Sequence, residues 1–415
     1  MPNQLALFCF LFAAVCLLVV FLDCRLNAVF THLSIQKTRI QIDGSERREN
    51  EAKPTECFST LQTLNISVRS ILIDPDALLE LSKNCHQELS GKLKLAIDER
   101  DFEKFGVSWK IEENIEIWLY RDNPKKDYWQ FFDPAKENRS HILPRFLLYS
   151  FGNVFLPADI PRFLHLWERS RKVECKNYSF SREARDQRRY IPLGSIVDIA
   201  RFRDSLYQFG IWGFLNGGTL LGWYRECSII SHTLDIDFAV KVDEFKDDFL
   251  QFLKTNPPYL RLKKKIGLKN DSMELNVKTK EYGTSIDLFL MYDDGESSWV
   301  AGTDRMTLNK FKYTYPRITD FCSADLLDHA FLIPCEVEKL LEAEYGTNWR
   351  MDHPTRLFSW HSSHKNVKRV GRWPSKIRAQ VYQVFTDAPI TRKSKYPKDL
   401  KEQKNRTDWL SLNAI

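Results

Sequence analysis

Two aspartates two residues apart, Asp235 and Asp237, interrupt an otherwise apolar stretch at residues 234–240 (LDIDFAV). The stretch reads as a strand, and side chains at i and i+2 of a strand leave from the same face. Both carboxylates therefore converge on one spot, where like charges repel unless a cation lies between them. Hard oxygen ligands in this arrangement suit a divalent ion such as Mg2+ or Mn2+. A third acid, Asp287, interrupts a second apolar run at residues 284–292 (TSIDLFLMY). A lone strand aspartate is commonly an edge residue or half of a salt bridge, so Asp287 acquires meaning only within the ordered set.

The segments before the first pair complete that set. Ile199, Phe202, Leu206 and Phe209 recur at helical spacing, and Gly210 stands where a helix stops. IWGFL at residues 211–215 reads as a short strand. Asn216, Gly217, Gly218 and Thr219 then lead into LLGWYRE, the expected start of a second helix. Paired glycines between strand and helix permit a tight turn and a close backbone approach to a phosphate. The expected order is helix, strand, Gly-Gly turn, helix, a strand with Asp-x-Asp, and a later strand with the third acid.

The rest of the chain indicates a setting. Residues 5–22 (LALFCFLFAAVCLLVVFL) carry no charge and, as a helix, span about 27 Å, close to the hydrocarbon thickness of a bilayer. The run exceeds the apolar core of a signal peptide and no clean A-x-A site follows. The reading is an uncleaved anchor behind a short cytoplasmic end at residues 1–4, with a polar stem at 23–56 and a lumenal body. Flanking charges orient the anchor poorly, and the bulk lies after it. Sequons at Asn65, Asn138, Asn177, Asn270 and Asn405 fit a lumenal body. So do six cysteines beyond the anchor, Cys57, Cys85, Cys175, Cys227, Cys322 and Cys335, whose pairing the sequence leaves open. An N-terminal α+β domain is expected over residues 57–184, with ILIDPDALLELSK as strand, turn and helix and with strands in SWKIEENIEIWLYR and DYWQFF. A catalytic domain is expected over 185–385 and a basic tail over 386–415. The net charge of +6 is mild for 415 residues. It calls for no nucleic acid and suits an anionic sugar phosphate or nucleotide.

The ordered set resembles the nucleotidyltransferase superfamily. More narrowly, GGTLLGWYREC, DIDFAV and FCSADLLDHAFLIPCEVEKLLEAEYGTNW resemble the LicD family of phosphocholine transferases. ILIDP, FLPADIPRFL followed by Glu174 and Cys175, KFKYTYP and GRWP are similar to its fukutin-like branch, over roughly residues 70–375. The resemblance implies an α/β nucleotidyltransferase-type mixed sheet with flanking helices. It also implies a Golgi enzyme, single-pass and type II, that moves ribitol 5-phosphate from CDP-ribitol to an O-mannosyl glycan of a dystroglycan-like glycoprotein and releases CMP. Other Golgi glycosyltransferases are implied as neighbours. Carried over by position, Asp235, Asp237 and Asp287 would hold Mg2+ or Mn2+ against the diphosphate. Gly217, Gly218 and Thr219 would shape the phosphate-facing turn. Arg225 would counter phosphate charge, with a helix-surface salt bridge as the competing reading, and Asp287 would accept the proton of the acceptor hydroxyl. LicD-like sequences often carry an extra acid before Asp-x-Asp, whereas this chain has Ser231, His232, Thr233 and Leu234. That departure weakens a claim on choline. A transferase for another CDP-alcohol and a non-catalytic scaffold stand as alternatives.

Several residues admit plainer readings. Glu274 could support the site from a neighbouring strand. Lys263, Lys264 and Lys265 could meet an anionic substrate but read first as an exposed charge run. His361 and His364 have metal-like spacing with Cys322 and Cys335 upstream, yet no paired C-x-x-C supports zinc. Trp360 and Trp373 read as core or sugar-stacking residues.

Overall fold

The computed structural model describes residues 68–83, 92–105, 115–136 and 140–386. The expected anchor, stem and basic tail lie outside the described residues apart from residue 386, as do Cys57, Cys85 and the sequons at Asn65, Asn138 and Asn405. Among the described residues no helix is long and apolar enough to cross a membrane.

The first sheet has seven strands: β1 (Ser70–Leu72), β2 (Leu93–Asp98), β3 (Ile115–Asp122), β4 (Tyr128–Phe132), β5 (Ser140–Pro144), β6 (Leu148–Phe151) and β7 (Val154–Pro157). Their order is β5-β4-β3-β2-β1-β7-β6. Two of its helices start by the same device. In α1 (Pro75–Ser82) the Asp74 carboxylate accepts from Ala77 N at 2.9 Å, and Pro75 occupies the first turn, where no intrahelical donor is needed. In α2 (Ile160–Glu168) Asp159 accepts from Arg162 N at 3.1 Å, and Phe163, Leu166 and Trp167 form the buried stripe. The strand, Asp-Pro turn and helix expected at ILIDP, and the strands expected in the two aromatic segments, are all present.

The second sheet has twelve strands: β8 (Lys172–Val173), β9 (Phe214–Leu215), β10 (Asp235–Lys241), β11 (Leu260–Leu268), β12 (Asp271–Thr279), β13 (Ser285–Asp293), β14 (Ser297–Thr303), β15 (Asn309–Pro316), β16 (Phe321–Leu326), β17 (His329–Pro334), β18 (Val367–Arg372) and β19 (Tyr382–Val384). The main path runs β18-β15-β14-β13-β10-β9-β17-β16-β8, and β12, β11 and β19 branch from β13. β10 pairs parallel with β13 and antiparallel with β9, which makes the sheet mixed as expected. Four helices matter to the site: α3 (Ile196–Gln208), α4 (Gly217–Glu226), α5 (Asp247–Lys254) and α6 (Val337–Tyr345).

Apolar alternation puts the centre of this sheet in the core. Ile236, Phe238, Ile286, Leu288 and Leu290 are fully buried. Ile199, Phe202 and Leu206 on α3 are equally buried, and the helix ends at Phe209 with Gly210 at φ +66°. A Cβ on Gly213 would stand 2.6 Å from Leu206 Cδ1, so the helix lies against the chain that enters β9. That crowding accompanies one difference from expectation: only Phe214 and Leu215 of the 211–215 segment pair as a strand.

The two sheets share one hydrophobic cluster. A polar junction reinforces it. Asp127, just before β4, meets Arg203 of α3 at 2.9 Å, His329 of β17 at 2.7 Å and the Ala330 N–H at 2.9 Å. Two disulfides, Cys175–Cys227 and Cys322–Cys335, resolve the pairing of four of the six cysteines.

Candidate active site

The parallel register of β10 and β13 sets Asp237 directly beside Asp287. Asp235 lies two residues before Asp237 on the same face, and one carboxylate oxygen from each of the three acids lies within 4.8 Å of the other two. Among the described residues this is the cluster able to hold a metal ion. The row continues sideways, for Asp287 faces Asn276 on β12, and Asn276 faces Lys264 on β11. Asn276 Nδ2 donates to Asp287 Oδ1 and to Ser285 Oγ, which fixes the rotamer of the third acid.

The Gly-Gly turn is built around Asp237. Asn216 N donates to the Asp237 carbonyl at 3.1 Å, and Asp237 N donates to Thr219 Oγ1 at 2.8 Å. Gly218 N donates to Asp237 Oδ2 at 3.1 Å. Gly217 sits at φ +51°, and a Cβ there would stand 3.0 Å from Asp237 Oδ2. Glycine is thus required twice over, by backbone conformation and by the approach of the carboxylate. Helix α4 begins at Gly217 itself rather than after Thr219, so the glycines form its first turn, whose N–H groups lack intrahelical partners. Gly217 and Gly218 line the cavity, while Thr219 ties the helix to β10 from beneath.

The electrostatics express crowded charge. Burial pushes the Asp237 carboxyl well above its ordinary value, and Asp235, Asp287 and Glu344 add to the effect. Burial also raises Asp287, to about 6; Asp235 adds to this, while Asn276 and Lys264 oppose it. Asp235 is raised by burial against a bond from Thr233. Glu274 on β12 is raised well above the usual range by burial and then by Asp287. Three hard oxygen donors at this separation, each raised, fit a divalent cation of the Mg2+ or Mn2+ kind. Asp235, Asp237 and Asp287 would hold it.

A cavity of about 1220 Å3 opens above the acids. Glu274, Lys264, Tyr313, Glu344 and Trp360 contribute to its walls. It exceeds the usual 300–1,000 Å3 of a small-molecule pocket.

Arg225 departs from the expected role. It sits at the opposite end of α4 from the glycines, about 12 Å along the axis at 1.5 Å per residue. Its side chain is 2% exposed and lies over the Phe180 ring at 4.6 Å. Every guanidinium nitrogen is engaged: the group donates to Glu226 at 2.5 Å, to Asp352 at 3.1 Å and to the carbonyls of Met351 and Trp349 at 2.9 and 3.4 Å. Arg182 meets the same two acids, and His232 Nε2 approaches Asp352 at 3.1 Å. Arg225 borders the cavity but serves to clamp the segment carrying Asp352. Its salt bridge is buried, so neither expected reading describes it fully.

The remaining residues settle individually. His364 Nδ1 lies 3.0 Å from a Glu344 carboxylate oxygen, His361 stacks on Phe311, and Cys322 and Cys335 are joined as a disulfide, so these four do not form a ligand set. Trp373 is buried with Nε1 donating to Thr303, whereas Trp360 is 42% exposed at the cavity wall. Glu344 was not foreseen. It is buried, accepts from Tyr315 Oη at 3.1 Å, and reaches the site from a helix far along the chain. Only the acids flanking apolar residues in LLEAEY gave any signal for it.

Residues 56–174 match the family described as W02B3.4-like, N-terminal domain, and residues 210–336 match LicD/FKTN/FKRP, nucleotidyltransferase domain. The uncharacterized Caenorhabditis elegans protein T07A5.1 is 36% identical over 349 residues, covering 80% of this chain and 87% of that one. The chain belongs to the family of this protein, and its residues 210–336 carry a LicD-type nucleotidyltransferase domain. A second C. elegans protein, W02B3.4, is 37% identical over 79% of this chain and 85% of its own length. The mouse ribitol-5-phosphate transferase FKTN is 33% identical over 56% of this chain and 51% of its own length. The human FKTN is 31% identical over a similar share. The chain therefore spans about half of the FKTN relatives, and the match to FKTN leaves the narrower fukutin-like placement open. The match over residues 210–336 gives the second sheet region the nucleotidyltransferase domain that LicD, FKTN and FKRP share, and it suggests a CDP-alcohol phosphotransferase family.

Proposed function

We propose that this chain is a metal-dependent phosphotransferase that moves ribitol 5-phosphate, or a closely similar alcohol phosphate, from a CDP-activated donor to the O-mannosyl glycan of a glycoprotein, releasing CMP. The observation that carries the reading is the triad of Asp235, Asp237 and Asp287 on two adjacent parallel strands, under a cavity edged by Gly217 and Gly218. The FKTN relatives, named as ribitol-5-phosphate transferases, support the choice of alcohol.

The chemistry follows from placement. A bound Mg2+ or Mn2+ supplies charge neutralisation for the diphosphate and the departing CMP. Gly217 and Gly218 let the phosphate approach the start of α4 without a side chain in the way. The acceptor hydroxyl oxygen forms the new bond to phosphorus, the bond from phosphorus to the CMP oxygen breaks, and the hydroxyl proton passes to Asp287.

The proposed setting is the Golgi lumen, with the chain anchored through residues 5–22 as a type II protein among other glycosyltransferases. The two disulfides support an oxidising compartment, and Asn177 and Asn270 are exposed sequons. The test is CMP release from CDP-ribitol and, separately, CDP-choline, with Mn2+ or Mg2+ and a phosphorylated O-mannosyl glycopeptide. Acceptor-dependent release from CDP-ribitol, lost with chelator and in Asp235→Ala, is the expected result. Release from CDP-choline alone would replace ribitol by choline. No release from either donor by folded protein would sink the transferase reading.

A further inference from the structure

With Arg225 committed to Asp352 and Glu226, the donor's diphosphate still needs a cation from the protein beside the one the triad would hold. The sequence offers three consecutive lysines on β11, and strand register separates them. Lys265 Nζ turns to backbone, donating to the carbonyls of Gly267 at 2.9 Å and Gln380 at 3.4 Å. Lys264 instead faces Asn276, which faces Asp287, which faces Asp237. Cross-strand partners leave a sheet on the same face, so these four residues make one polar row across four adjacent strands. Lys264 lines the same cavity as the acids and is half-buried. Its charge is felt there, pulling against the raised carboxyls of Asp287 and Glu274. Arg305 and Lys365 also border the cavity, but both are exposed and neither belongs to the row.

We propose that Lys264 contacts the donor's diphosphate and supplies the protein cation that Arg225 does not. The inference rests on the CDP-donor reading above. An ammonium on a flexible stem is a compact donor with three N–H groups, suited to phosphate oxygens whose positions shift as the bond to phosphorus breaks. Its place beyond Asn276 sets it two strands further from Asp237 than Asp287 is, about 10 Å at ordinary strand spacing, so a diphosphate reaching from the triad along the row would meet its flexible stem. The competing role is an internal counter-ion for Asp287 and Glu274, with no ligand contact.

Binding of CDP and of cytidine, measured with Mg2+ by calorimetry on the intact protein, separates the two roles. Lys264→Met is expected to weaken CDP at least tenfold, about 1.4 kcal/mol, while cytidine affinity stays the same. Lys264→Arg, which keeps the charge, is expected to retain most of the preference for CDP. An unchanged ratio of CDP to cytidine affinity in Lys264→Met overturns the contact and leaves the counter-ion role. Wild-type protein that binds no CDP overturns the donor reading itself, and this inference with it. A second measurement needs no variant: amine-reactive labelling of Lys264 in wild-type protein is expected to fall with CDP and Mg2+ but not with cytidine. Equal labelling under both conditions overturns the proposal whether or not the variant folds.

Discussion

Replacing Asp127 by Asn tests whether the junction between the two sheets is held by charge or by shape. Burial alone would raise the Asp127 carboxyl, yet Arg203, His329 and the Ala330 N–H hold it at about 2, against an ordinary 3.8. A folded-state value below the unfolded one stabilises the protein above the unfolded pKa, and that stability disappears as pH falls through the folded pKa. The difference of about 1.8 units corresponds to about 2.4 kcal/mol at neutral pH. A second route gives a similar size. Arg203 is 2% exposed and keeps Asp204 and the Ala330 carbonyl when Asp127 loses its charge, so the cost falls at or below the roughly 3–5 kcal/mol of a fully broken buried pair. We expect Asp127→Asn to lower stability by about 2–3 kcal/mol at pH 7, measured by urea unfolding followed through tryptophan fluorescence. The gap between wild type and variant should shrink to about half at pH 3 and almost vanish near pH 2, as the wild-type carboxylate protonates. A gap under about 0.5 kcal/mol at pH 7, or one independent of pH, would refute the electrostatic account and leave packing by the shared core as the bond between the sheets.

The acids of the triad carry the opposite sign. Asp287 is raised to about 6, so in chelator-treated protein its contribution is fully present below pH 3.8 and is lost as pH rises through 6. Asp287→Asn should therefore raise the melting temperature at pH 8 without metal and abolish transfer; a lower melting temperature would contradict the crowded-charge reading. Gly217→Ala should cost activity well beyond its effect on folding, because its Cβ meets the Asp237 carboxylate. Gly152→Ala is the control, with positive φ but open space, and equal activity losses in both would refute the argument. Arg225→Met should destabilise by about 3–5 kcal/mol through the acids left buried, while the ratio of CDP to cytidine affinity stays unchanged in protein that remains folded. A selective loss of CDP would return Arg225 to the phosphate.

What could be read from the sequence was local. The stripe of Ile199, Phe202 and Leu206 announced α3, and Asp235 and Asp237 announced a convergent pair, because helical and strand periods act over a few residues. The parallel contact of Asp237 with Asp287 was anticipated only as convergence, for register across a crossover has no local signature. Lys264 was harder still. β11 shifts register between Leu262 and Lys264, and only the completed β11-β12-β13-β10 order shows which of three lysines joins the acid row. Arg225 was misplaced for a similar reason: Asp352 and Phe180, which decide its role, lie far from it in sequence and carry no motif. Cys175 and Cys227, 52 residues apart, could be paired only once the chain around Lys176 was seen to bond the end of α4.

The two kinds of buried charge explain why function is concentrated where it is. Arg203 and Arg225 are each 2% exposed, and each is met by carboxylates and backbone carbonyls, so both networks are closed and serve rigidity. At the centre of the second sheet the balance reverses: Asp235, Asp237, Asp287 and Glu274 crowd together, each raised, with Lys264 as the cation on their row. The Asp287 shift alone corresponds to about 3 kcal/mol of destabilisation at neutral pH. An ion binding only the folded protein at a hundred times its dissociation constant returns about 2.7 kcal/mol. That return is of the same order as the Asp287 cost, while the raised carboxyls of Asp237 and Glu274 add to the strain of the empty site. Strain confined to a cavity and relieved by a ligand is what a transferase requires and what a scaffold would be expected to lose, because a scaffold gains nothing from keeping three carboxylates within 4.8 Å.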